Sequence, residues 1–172
     1  MKYILILILL CTCISFSQSN ENIKNAKNFS FEGLKLGTSY PAFKVKFQSA
    51  EEKPELTDKE GVKVYFVFSL SHDASAGGFY FYKNKLYKMS IIYSKMDIHD
   101  MGGAETIINK FVKDLGRPTY FKDYDNGEYT GIIVWAFKTV GRSFILEEFR
   151  EGVIKCLVFD SNICGSIDDH AF

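Results

Sequence analysis

The feature that most restricts the fold is a likeness of the chain to itself. Laying Tyr82 to Ile92 (YKNKLYKMSII) over Phe149 to Phe159 (FREGVIKCLVF) sets Tyr82 on Phe149, Lys83 on Arg150, Leu86 on Val153, Tyr87 on Ile154, Lys88 on Lys155 and Ile91 on Val158. Upstream, GVKVY from Gly61 lies over GIIVW from Gly131. One supersecondary unit used twice accounts for both matches, and a unit that cannot bury its apolar face alone must share a core with its copy. Repeat one is expected over about 33–95 and repeat two over about 101–160.

The unit reads as a helix followed by an antiparallel meander. Val62, Val64, Phe66, Phe68 and Leu70 alternate with Lys63, Tyr65, Val67 and Ser69, which is the period of two of a strand. From Gly103 to Leu115, Ile107, Ile108, Phe111, Val112 and Leu115 form one stripe at helical spacing. Gly116 supplies a left-handed stop to that helix and Pro118 forbids its continuation. A shorter helix is expected over Tyr40 to Phe47, with Pro41 in its first turn, although Phe43, Val45 and Phe47 also alternate like a strand. Turn signals at Asp125-Asn126-Gly127-Glu128, Val140-Gly141-Arg142 and Arg150-Glu151-Gly152 divide the rest into strands near Thr119 to Tyr124, Tyr129 to Lys138, Ser143 to Phe149 and Val153 to Phe159. The fold class is therefore α+β, a tandem repeat of helix plus β-meander forming one sheet with helices on one face.

A two-residue turn at Glu151-Gly152 would pair Phe149 with Ile154 and Glu148 with Lys155. Opposite charges facing across strands favour a solvated face, so the buried face carries Phe149, Ile154, Cys156 and Val158. Carried to the first copy, that buried set becomes Tyr82, Tyr87, Met89 and Ile91. Phe79 and Phe81 then share the open face with Lys83, Lys88 and Ser90, where two phenylalanines need a cover or a partner. Together with Tyr120, Tyr124 and Tyr129 around the Asn126-Gly127 turn, Phe79, Phe81 and Lys88 are the candidate binding residues, since exposed aromatics beside polar groups are the material of interface hot spots.

The N-terminus bears on compartment. Lys2, an apolar run from Tyr3 to Ile14 and then Ser15-Phe16-Ser17 have the form of a secretory signal peptide over 1–17, cleaved before Gln18. The run is shorter than the roughly 20 residues that a spanning helix needs. Lipid anchoring at Cys11 or Cys13 is the weaker alternative, because Leu10 and Thr12 stand where a lipobox has small residues. The polar stretch 18–28, with Asn at 20, 22, 25 and 28, reads as a flexible leader, and 29–172 as a single domain. Lysines and arginines number 21 against 21 aspartates and glutamates, with no basic stripe, so nucleic acid is not an expected partner. Cys156 and Cys164 lie symmetrically about Asp160; a hairpin there would let them form a disulfide, and otherwise Cys156 is a small buried hydrophobe.

Catalytic and metal motifs are wanting. Ser71-His72-Asp73 holds the letters of a triad, but sequence neighbours cannot line up nucleophile, base and orienter. His72, His99 and His170 are scattered, so metal ligation would require loops to converge by coincidence. Asp123 to Glu128 has no glycine at the loop position where a calcium site needs it and is not followed by that loop's terminal glutamate, and Glu147 and Glu148 point to opposite faces of one strand. No catalytic residue, metal site or cofactor is assigned.

Gly37 before a short helix, Gly103 before a longer one, Leu115-Gly116-Arg117-Pro118 after it and Trp135 in a following strand resemble the small secreted bacterial domains typified by the beta-lactamase inhibitory protein and the SmpA/OmlA-type lipoproteins. That resemblance implies a helix-plus-meander fold and a non-catalytic binding role. The expected function is a secreted or periplasmic module that engages a protein or an envelope component; the alternative is a small secreted hydrolase with a loop-built site.

Overall fold

The computed structural model describes residues 18–71, 74–123, 129–149 and 151–167. The expected signal segment with Cys11 and Cys13, the Asn126-Gly127 turn with Tyr124, and His72 and His170 lie outside the described residues. Among the described residues eight strands form one antiparallel sheet: β1 (Glu51–Glu52), β2 (Val62–Ser71), β3 (Ala74–Tyr82), β4 (Lys85–Tyr93), β5 (Tyr120–Asp123), β6 (Tyr129–Phe137), β7 (Arg142–Phe149) and β8 (Ile154–Asp160), in the spatial order β1-β2-β3-β4-β8-β7-β6-β5. Each half is thus a meander running in the same order, and the halves meet where β4 pairs with β8, Met89 opposite Val158 and Ile91 opposite Cys156.

Among the described residues four helices cover one face: α1 (Asn20–Asn28), α2 (Tyr40–Lys46), α3 (Lys95–Asp100) and α4 (Ala104–Leu115). The α4 stripe buries Ile107, Phe111 and Leu115, and Gly116 ends the helix at φ 78°. Its carbonyl then accepts a 2.8 Å bond from Trp135 Nε1, which ties the helix stop to β6. The competing helix and strand readings of Tyr40 to Phe47 resolve as helix because Phe43 fills the space above β2 and β3, its ring 5.1 Å from both Phe79 and Phe81.

That contact corrects the expected face assignment. Phe79 and Phe81 are 0% and 2% exposed and belong to the core under α2. The β3–β4 turn is Lys83-Asn84, both at positive φ as a two-residue hairpin of this twist requires, so Tyr82 pairs with Lys85 and Phe81 with Leu86. A bulge then admits Tyr87 as an extra residue before Tyr80 meets Lys88. Because side chains alternate, a one-residue slip transfers each of them to the other face. The helix-covered face holds Phe79, Phe81, Met89 and Ile91, whereas Tyr82 and Tyr87 pack on the opposite side. In the second half Phe149 N donates to Val153 O and Glu147, not Glu148, faces Lys155. Ile154, Cys156 and Val158 are buried under the helices as expected.

Two further expectations are overturned. The segment read as a flexible leader forms α1, capped by Ser19 and docked on α4, with Ala26 buried and Asn25 Nδ2 donating to Asp114 O at 2.9 Å. No hairpin turns at Asp160: its carboxylate caps a fifth helix, α5 (Ser161–Ser166), that folds onto the sheet face opposite α1–α4. Cys156 and Cys164 consequently sit on opposite faces of the sheet and are not bonded to each other.

Candidate functional site

The face opposite α1–α4 is built from three rows of side chains that the strand register sets side by side. The central row crosses from Phe66 through Gly78, Ser90, Leu157 and Ile145 to Val134, with Tyr120 beyond it on the edge strand. On one side lies the row of Phe68, Ala76, Ile92, Lys155, Glu147 and Ile132; on the other, that of Val64, Tyr80, Lys88, Phe159 and Ser143. The middle of this face is covered by α5 and the residue that follows it: Ile163, Cys164 and Ile167 pack with Tyr87, Ile145, Leu157 and Phe159.

Outside the footprint of α5 the face is open and aromatic. Phe68 is 62% exposed and meets Phe66 edge-on at 4.9 Å; Tyr120, at the other end, is 50% exposed. Gly78 lies between two of these rings; a Cβ there would stand in ordinary contact, 3.4 Å from the Tyr80 ring and 3.8 Å from that of Phe66. Charges on this face are placed against rings or against each other. Lys88, 9% exposed, holds its ammonium 4.4 Å above the Tyr80 ring, an arrangement that stabilises a desolvated cation. Lys83 stands 5.0 Å over Tyr82. Lys155 lies 2.7 Å from Glu147 Oε2, at an angle that makes an ion pair without a hydrogen bond, and Glu147 is buried.

The sequence-derived candidates are therefore split between places. Phe79 and Phe81 are core; Lys88 lies on the open face but is nearly buried within it; Tyr120 is exposed at its rim; the backbone of Tyr129 starts β6 opposite Phe149; Tyr124 is outside the described residues. Sequence reasoning missed Phe66 and Phe68, although the signal was present: the centre of β2 is apolar on both alternating sets, Val64, Phe66 and Phe68 in one and Tyr65 and Val67 in the other, which a strand with only one covered face does not require. Among the described residues no three His, Cys, Asp or Glu side chains converge, and His99 is an exposed neighbour of Asp100. A shallow depression of about 300 Å³ at Gln18, Thr119, Ala136, Lys138 and Thr139 presents no acid–base pair. No helix among the described residues is long and apolar enough to cross a membrane. No family model matches the chain, and neither a curated protein nor a solved structure does.

Proposed function

We propose that the protein is a secreted or periplasmic binding module, without catalytic activity, that engages another protein through the sheet face carrying Phe66, Phe68, Tyr80, Tyr82 and Tyr120. The observation that carries the reading is the unequal cover of the sheet: four helices on one face, and on the other a six-residue helix that leaves Phe68 and Tyr120 in water. An aromatic floor whose lysines are stacked on rings, with charge confined to paired or shielded positions, has the composition of an interface centre rather than of an ordinary wet sheet surface. The resemblance to the beta-lactamase inhibitory protein and SmpA/OmlA-type domains points to the same kind of role, and the N-terminal Lys2 to Ser17 pattern points to export.

The test is affinity capture from an envelope extract on immobilised protein beginning at Gln18, compared with Phe68→Ser. Because Phe68 is mostly exposed, its loss is expected to cost no more than about 1 kcal/mol of stability while abolishing retention of the captured protein. Equal retention by the variant, or reproducible retention of nothing by either, would overturn the proposal.

A further inference from the structure

We propose that α5 is a hinged strap: in the free protein it covers the centre of the open sheet face, and it swings away to expose one continuous docking floor. The inference rests on the reading of that face as the binding face and adds its regulation.

The sequence of α5 is Ser-Asn-Ile-Cys-Gly-Ser. An isolated helix in water needs about 12–15 residues even when rich in alanine, and Ser, Asn and Gly are weak helix formers. This helix exists only through its cap and its contact with the sheet. The cap and the anchoring bonds gather at its first turn. Asp160 accepts from the backbone N–H groups of Asn162 and Ile163 at 3.1 and 3.2 Å and pairs with Arg142. Ser161 N donates to Gly141 O at 3.0 Å, and the Ser143 and Ser161 hydroxyls are 2.7 Å apart. The amide of Asn162 also lies against Gly141, so close that a Cβ there would stand 2.3 Å from its Nδ2. A pivot is thereby fixed at Asp160 to Asn162.

Downstream of the pivot, Gly165 and Ser166 face solvent, Ile163 and Ile167 are half-buried and Cys164 is buried. Under them Tyr87 and Ile145 are completely covered, and Leu157 and Phe159 nearly so. With α5 lifted, these four side chains join Tyr80, Tyr82, Ile132 and Val134 and connect the Phe66–Phe68 end of the sheet to the Tyr120 end. A floor of that extent is too apolar to leave open in water. The strap supplies the cover until a partner replaces it, and low-stability elements of this kind are where proteins open locally.

The experiment is hydrogen exchange read by mass spectrometry on the protein beginning at Gln18, with 8-anilinonaphthalene-1-sulfonate fluorescence as a probe of exposed floor. The amides of α5 are expected to exchange roughly 100-fold or more faster than those of β7 and β8, by an opening that leaves the sheet intact. Gly165→Ala, whose new methyl enters open space, should slow that exchange about fivefold by improving the helix; Ile163→Asp should speed it and raise the dye fluorescence while β7 and β8 stay protected. Exchange of α5 in step with β8, or the same α5 rates in wild type and Gly165→Ala, would overturn the strap. Neither readout depends on a partner, so failure of the strap is separable from failure of the binding face, which Phe68→Ser tests by capture.

Discussion

Phe81 shows how much of the core depends on single side chains: its ring meets Phe43 at 5.1 Å, Tyr40 at 5.7 Å and Tyr65 at 5.8 Å, with almost no exposure. Phe81→Ser removes a ring and leaves a hydroxyl in the vacated space, so urea denaturation should show a loss of roughly 3 kcal/mol or more. Trp135 has a second duty besides packing. Trp135→Phe keeps most of the ring volume but leaves the Gly116 carbonyl without the indole donor, for an expected cost of about 1–3 kcal/mol in the same assay. The Glu147–Lys155 pair supplies a contrast with both. Lys155→Met strands a buried carboxylate, while the double variant Glu147→Leu/Lys155→Met removes both charges; the single change should destabilise by about 1–3 kcal/mol, discounted for the partly exposed ammonium, and the double should recover most of that loss.

At the scale of elements, α3 is held by its cap more than by its length. Ser94 and Asp97 form a reciprocal capping box, and the Asp97 carboxylate also accepts from Ser75 Oγ at 2.5 Å, which ties the helix to β3. Burial by itself would raise the pKa of Asp97, but the bonds from Ser75 and Ser94 outweigh it and hold the carboxyl below its ordinary value. A depressed folded-state pKa contributes stability that is fully present above the unfolded value, near about 3.9, and is lost as pH falls through the folded one. Stability followed by urea midpoint should therefore fall from about pH 5 downward, and Asp97→Asn should flatten that dependence. This stretch of chain holds no apolar stripe, so the Ser94 and Asp97 pair is the local mark of α3 in the sequence; α1, with only Ile23 and Ala26 to bury, has no stripe either.

On the scale of the whole molecule, one sheet separates two apolar layers of unequal depth, and the two cysteines report on them separately. Cys156 lies in the deep layer, its thiol pKa raised by burial; Cys164 lies in the shallow layer, on the sheet-facing side of α5 itself. With Ellman's reagent on the native protein, Cys156 should react only as fast as the chain unfolds globally, whereas Cys164 should react earlier, at the rate with which α5 opens. Equal rates for both thiols would mean that the two layers open together.

Local periodicity and turn chemistry wrote the α+β class, the α4 stripe with its glycine stop, and two meanders of like strand order into the sequence; the helix reading of Tyr40 to Phe47 needed the packing of Phe43. The sequence also pointed to an open sheet face bearing two phenylalanines, but placed Phe79 and Phe81 there, which are core. Which face a strand residue occupies depends on register, and register was settled by the Lys83-Asn84 turn, the bulge at Tyr87 and the longer loop before Val153. Only the tertiary structure could decide those, since a slip of one residue leaves the alternation intact while exchanging inside for outside. It alone also placed α1 and α5, whose few apolar residues have no meaning until the surfaces they cover exist.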